Sequence, residues 1–153
     1  MEPVMQPSLR VSLFLIVVAL VGVAPVRAQM PEDAAQVAET VGAFHAALAE
    51  GDTTTVVAML SPGVRILESG GLETLDEYVD HHLSADIAFA QAVPRDRGPL
   101  EVIVRGDVAW VVSSSRSVGR WRDRDIDATN AELMVLERHS SGWLISAIHW
   151  SSR

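Results

Sequence analysis

The chain has no cysteine among its 153 residues. This excludes disulfides, thiolate chemistry and a lipid anchor on cysteine, so the core alone must hold the fold. Lysine is also missing, since all 12 basic residues are arginine, a pattern that reads as genome composition rather than function. Against them stand 20 acidic residues, for a net charge of −8. The chain thus lacks the broad basic surface that holds nucleic acid or an anionic membrane. There is no Gly-x-Ser-x-Gly elbow around Ser113-Ser114-Ser115, no phosphate loop and no dinucleotide fingerprint. Internal repeats, low-complexity tracts and interdomain linkers are absent too.

One long apolar run is present, from Val11 to Val26, after a head ending in Arg10. It is shorter than the roughly 20 residues that span a bilayer. Val26-Arg27-Ala28 fits a small-x-small cleavage site, so residues 1–28 read as a signal peptide and 29–153 as a single domain. The expected location is outside the bacterial cytoplasm, periplasmic or secreted, with no membrane attachment after cleavage. Losing Glu2, Arg10 and Arg27 leaves 10 arginines against 19 acidic residues. About 125 residues suffice for one sizeable core.

Helical spacing runs from Pro31 to Glu50, with Val37, Val41, Phe44 and Leu48 as one stripe and Gly51 as the stop. Asp52 can cap a second helix carrying Val56, Val57, Met59 and Leu60, ending at Ser61-Pro62-Gly63. Val64 to Glu68 reads as a strand that places Val64, Ile66 and Glu68 on one face. Thr74-Leu75-Asp76-Glu77 is a capping box opening a helix to about Ala90. After Pro94 and Pro99 the pattern turns to sheet. Leu100–Arg105 and Val108–Trp121 flank the turn Gly106-Asp107, and Ala128–Arg138 and Trp143–Ser151 flank Ser140-Ser141-Gly142. The charged stretch Arg122 to Asp125 is a turn, and Asp123, Asp125 and Asp127 neutralise the arginines around Trp121. The plan is an α+β domain in which a curved antiparallel sheet wraps helices.

At about 100° per residue, His82 and Asp86 fall at the centre of the stripe made by Leu75, Tyr78, Val79, Leu83, Phe89 and Ala90. Burying both costs several kcal/mol unless they satisfy each other or line a cavity. At i and i+4 they can touch, leaving the second ring nitrogen free as base, donor or ligand. Glu68 in an apolar cavity would have a raised pKa, as a base or acid working near neutral pH requires. His149 alternates with Ile145 and Ala147 on the last strand. If that face is concave, Glu68, His82 and His149 could form a divalent-metal site, an alternative to the metal-free reading. Tyr78, His149, Trp110 and His45 are further candidate ligand contacts. His81 and His139 are expected at the surface, and Trp143 and Trp150 in the core or pocket wall.

Three phrases carry a family resemblance: Phe44-His45-Ala46-Ala47-Leu48-Ala49-Glu50-Gly51-Asp52, Ile66-Leu67-Glu68-Ser69-Gly70-Gly71, and Gly142-Trp143-Leu144-Ile145-Ser146-Ala147-Ile148-His149-Trp150-Ser151. Together with the element order, they resemble the nuclear-transport-factor-2-like superfamily, in particular its SnoaL-like branch, over roughly residues 33 to 151. The resemblance implies a cone, with a bent sheet closing over a long helix and a pocket at the wide end. It also implies frequent pairing through the outer sheet face, hence a homodimer. Glu68 stands where the ketosteroid-isomerase branch carries its general base. That branch's tyrosine on the first helix is replaced by His45, and its acid on a later strand is not evident.

The expected function is binding of a small apolar or carbonyl-containing molecule. Glu68, His82 and Asp86 are the catalytic candidates for proton transfer of isomerase, cyclase or dehydratase type, with Glu68 as base and His82, oriented by Asp86, as donor to the oxyanion. No organic cofactor is implied. A ligand carrier without turnover, or a dimerisation module of the same fold, are the alternatives.

Overall fold

The computed structural model describes residues 26–153, with side chains from Glu32 onward. The proposed leader, residues 1–28, lies outside them except for its last three positions. Helix α1 (Val26–Glu50) is the element the rest packs round. Its predicted stripe, Val37, Val41, Phe44 and Leu48, is buried throughout, each side chain contributing about 1.5–3 kcal/mol. Gly51 ends the helix at φ +79°, and a Cβ there would come within 2.7 Å of the Gln91 amide nitrogen. Asp52 caps the short α2 (Thr53–Ala58) by accepting from the Thr55 N–H. Leu60, expected in that helix, instead opens strand β1 (Leu60–Glu68). Its backbone continues the sheet, and Ile145 N–H donates to the Met59 carbonyl at 2.9 Å.

One seven-stranded sheet holds β2 (Gly71–Glu73), β1, β7 (Gly142–Ser152), β6 (Arg124–His139), β5 (Val108–Trp121) and β3 (Arg95–Arg97) in that order. Strand β4 (Glu101–Arg105) also pairs with β5. All pairs are antiparallel except β1 with β7, which run parallel. The sheet is thus mixed, where the sequence suggested only antiparallel pairing. Strand β6 begins at Arg124, earlier than expected, because its ladder with β5 runs unbroken to the Trp121↔Arg124 pair.

Two irregularities set which side chains face inward. The capping box forms as predicted, and α3 (Leu75–Glu77) leads into a π-helical turn, Tyr78–His82, before α4 (Leu83–Ala92). Leu83 N–H donates to the Tyr78 carbonyl, five residues back rather than four. The extra residue aligns Tyr78 with Leu83, both buried, and rotates His82 outward. In the last hairpin, the β6–β7 register slips between Val135 and Leu136, leaving Ser146 as the additional residue. Ile145 and Ile148 therefore both enter the core, which strict alternation forbids.

The N-terminal half of α1 is pinned to the sheet by charge. Asp33, 8% exposed, lies 2.7 Å from the Arg138 guanidinium, which stacks 4.4 Å from the Trp143 ring centre and also reaches Asp107 at 3.3 Å. Replacing Arg138 with Ala strands a buried carboxylate and uncovers the indole. A loss of about 2 kcal/mol is expected in urea-unfolding experiments, with the m-value unchanged.

Candidate functional site

The concave face of the sheet and helices α1 and α4 enclose a cavity of about 750 Å³ that opens to solvent. Register explains its polar floor. Glu68, Trp150, Glu132 and Ser113 are successive partners across β1, β7, β6 and β5, so they form one row on the inner face. The next inner row, toward the β5–β6 turn, is Ser152, Asn130, Ser115 and Arg97. Apolar walls come from Ala49, Phe89, Ala90, Val93, Ile126 and Trp121, with Phe89 edge-on to Trp121 at 5.6 Å.

Glu132 is the most heavily bonded group. It accepts from Trp150 Nε1 at 2.7 Å, from Ser113 Oγ at 3.1 Å and from His45 Nε2, 2.9 and 3.2 Å from its two oxygens. Burial alone would raise its pKa, but the hydrogen bond and charge of His45, the Trp150 bond and the field of Arg97 overcome that and hold it down to about 2. Desolvation pulls His45 below its ordinary value despite Glu132. His45 donates from Nε2 and the carboxylate stays ionised at neutral pH.

The second cluster is acidic. Glu68 and Asp86 both line the cavity, and the Tyr78 hydroxyl donates to Asp86 Oδ2 at 2.9 Å. Burial pushes the Glu68 carboxyl up, and the charge of Asp86 pushes it further. Asp86 is raised by burial as well, with the Tyr78 hydrogen bond opposing. Tyr78, buried beside this charge, has its own hydroxyl pKa pushed well above the usual range.

Of the residues singled out by sequence, Glu68, Asp86 and His45 reach the cavity, and Tyr78 touches it through Asp86. His82 does not. Its side chain is 52% exposed and its Nδ1 donates to Glu73 Oε2 at 2.7 Å, which raises its pKa. It lies in an adjoining groove with Ile66, Glu73 and His81 that shares Glu68 with the cavity, and the expected His82–Asp86 hydrogen bond is not formed. The π-helical turn is the reason. His149 is exposed on the convex face between Leu67 and Leu133, because the β-bulge puts Ile148 and Trp150 inside. Glu68, His82 and His149 are therefore not brought together. Among the described residues no group of three or more His, Asp or Glu side chains converges as a metal site. Trp110 alternates with the buried Ala109 and Val111, and its ring lies on the convex side under Arg105 at 6.0 Å.

Sequence reasoning missed Glu132, Arg95 and Arg97. A signal for Glu132 existed, since Glu132, Met134 and Leu136 alternate inward as Val64, Ile66 and Glu68 do. Arg95 and Arg97 stood in a stretch read as loop, three residues too short to show a period.

A sequence profile described as "SnoaL-like domain" matches residues 37–153. The chain belongs to the SnoaL-like family of the nuclear-transport-factor-2-like superfamily. Among solved structures it is similar to a "putative ketosteroid isomerase" from Shewanella frigidimarina NCIMB 400, at 33% identity and a TM-score of 0.73, covering 76% of this chain and 94% of that one. A "putative dehydratase from the NTF2-like family" from Streptomyces avermitilis shares 17% identity with a TM-score of 0.66, covering 80% and 97%. The CaMKII hub of S. rosetta shares 20% with a TM-score of 0.65, covering 78% and 96%. The last two show the fold alone. No match was found among curated proteins.

Proposed function

We propose that this domain binds a small, largely apolar carbonyl compound and moves a proton on it, with Glu68 and Asp86 as the working pair. The observation that carries this reading is two half-buried carboxyls, both with raised pKa, at the wall of an apolar cavity of about 750 Å³. Like charges that share a desolvated site hold a proton to higher pH than isolated carboxyls do. The ionised member takes the proton from carbon, and the protonated member donates to the carbonyl oxygen. The likeness to a structure described as a "putative ketosteroid isomerase" supports this class of chemistry, and the sequence resemblance puts Glu68 at the place of that branch's general base. His82 has no part in this reading, since its ring turns to Glu73 and solvent.

The experiment is native purification followed by mass spectrometry of released small molecules, with deuterium exchange into a panel of cyclic ketones followed by NMR. Recovery of an apolar carbonyl compound and accelerated exchange support the reading. An empty cavity and no exchange above buffer oppose it. In the same reading the domain acts outside the cytoplasm, its leader removed after Ala28.

The convex face carries a second reading, self-association. Leu72, Leu67, His149, Leu133 and Val112 are successive register partners, and Leu72 is 63%, Val112 41%, Leu67 39% and Leu133 38% exposed. Such a row costs solvation unless covered. A second copy of the chain fits it, as the row is apolar apart from His149 and a two-fold axis would set it against itself. Sedimentation velocity should show a dimer. Leu133→Glu should weaken it at least about tenfold by setting two charges into the contact.

A further inference from the structure

Arg95 and Arg97 lie two residues apart on β3, share one face of it, and both line the cavity. Arg122 lines it too, near the β5–β6 turn, with its guanidinium 5.2 Å from the Trp121 ring centre. Among the described residues none of these three side chains is in an ion pair or donates a hydrogen bond to protein, whereas Arg116 and Arg138 are both paired. Arg97 is the informative one. It is partly buried, and loss of water pulls its pKa down. Glu132, the acid whose field it feels, already takes three donors from His45, Ser113 and Trp150. A guanidinium that has given up water without gaining a partner is costly to the empty protein, and a ligand anion removes that cost.

The layout also limits the anion. Guanidinium groups match planar carboxylates and also phosphates. Glu68, Asp86 and Glu132 line the same cavity, so a second negative charge on the ligand would be repelled.

We infer that the ligand is a small organic monocarboxylate, its carboxylate held by Arg97 and Arg95, its apolar body along Phe89 and Val93, and its reacting carbon toward Glu68 and Asp86. The last clause rests on the proton-transfer reading, and the anion site does not. One consequence is that ligand affinity is salt-sensitive although the chain as a whole is acidic.

The test is isothermal titration of the full domain with two matched pairs, 2-naphthylacetate with 2-naphthylacetamide and cyclohexylacetate with its amide. In each pair the acid should bind roughly tenfold or more tightly than the amide. Added salt should weaken the acid alone. Arg97→Gln should shrink the ratio to within about twofold, and Arg97→Lys should keep part of it. Arg95→Gln gives a second reading should Arg97→Gln fail to fold. Equal binding within both pairs, binding by none of the four compounds, or an acid preference unchanged in Arg97→Gln and in the Arg95→Gln/Arg97→Gln double variant would overturn the inference. Acid preference through Arg97 with no proton exchange keeps this site and removes the proton-transfer reading. Exchange lost in Glu68→Gln, with no acid preference, does the reverse.

Discussion

Glu68→Gln should lower turnover about 10²- to 10⁴-fold while ligand affinity stays within about threefold. The amide keeps the shape and most of the hydrogen bonding of the carboxyl but cannot take a proton. Stability provides the internal control. The Glu68 pKa is raised in the fold by burial and by Asp86, so the folded state binds a proton more tightly than the unfolded chain. The stabilisation this gives is present at low pH and lost as pH rises through the folded value. Near neutral pH the ionised side chain therefore opposes folding, and Gln should leave thermal stability unchanged or higher. Loss of activity with undiminished melting temperature marks a chemical role. If only affinity changes, the domain is a carrier.

Glu132→Gln should have the opposite signature, a large loss of stability. Three donors converge on this carboxylate, and Gln presents an amide N–H₂ to at least one of them. A cost on the order of 3 kcal/mol, or roughly 10 °C in melting temperature, is expected. The pH dependence follows from the direction of the shift. Glu132 titrates at about 2 in the fold against 4.5 ordinarily, so the unfolded chain binds the extra proton between those values. Its contribution is complete above about pH 4.5 and drains away as pH falls toward 2. His45, held below 6.5 by burial, adds an acid-side loss that begins at higher pH. Urea unfolding of wild type and variant across this range should show the gap between them closing in acid. A gap that stays constant with pH would contradict the assignment.

Much of the architecture was legible because it rests on local chemistry. The buried stripe of α1, the Thr74–Glu77 capping box, the Asp52 cap and the Gly106-Asp107 hairpin follow from spacing and turn residues alone. The site was only partly legible because two single-residue insertions reset the phase. One π-helical turn carries His82 out to Glu73 while leaving Asp86 to Tyr78, and one β-bulge turns His149 outward. Neither leaves a mark in residue type, since both are settled by which side chains the core accepts. Glu68 came through since β1 keeps strict alternation from Val64 to the cavity edge. Glu132 sat in an alternation just as regular, but its partners His45, Ser113 and Trp150 come from three other elements, a convergence that only tertiary structure creates.

The most direct measurement is an NMR titration of the Glu68 side-chain carboxyl in protein labelled with ¹³C at glutamate. The account predicts a midpoint above 4.5 that moves down when Asp86 is replaced by Asn. A midpoint at or below 4.5, indifferent to Asp86, would contradict it.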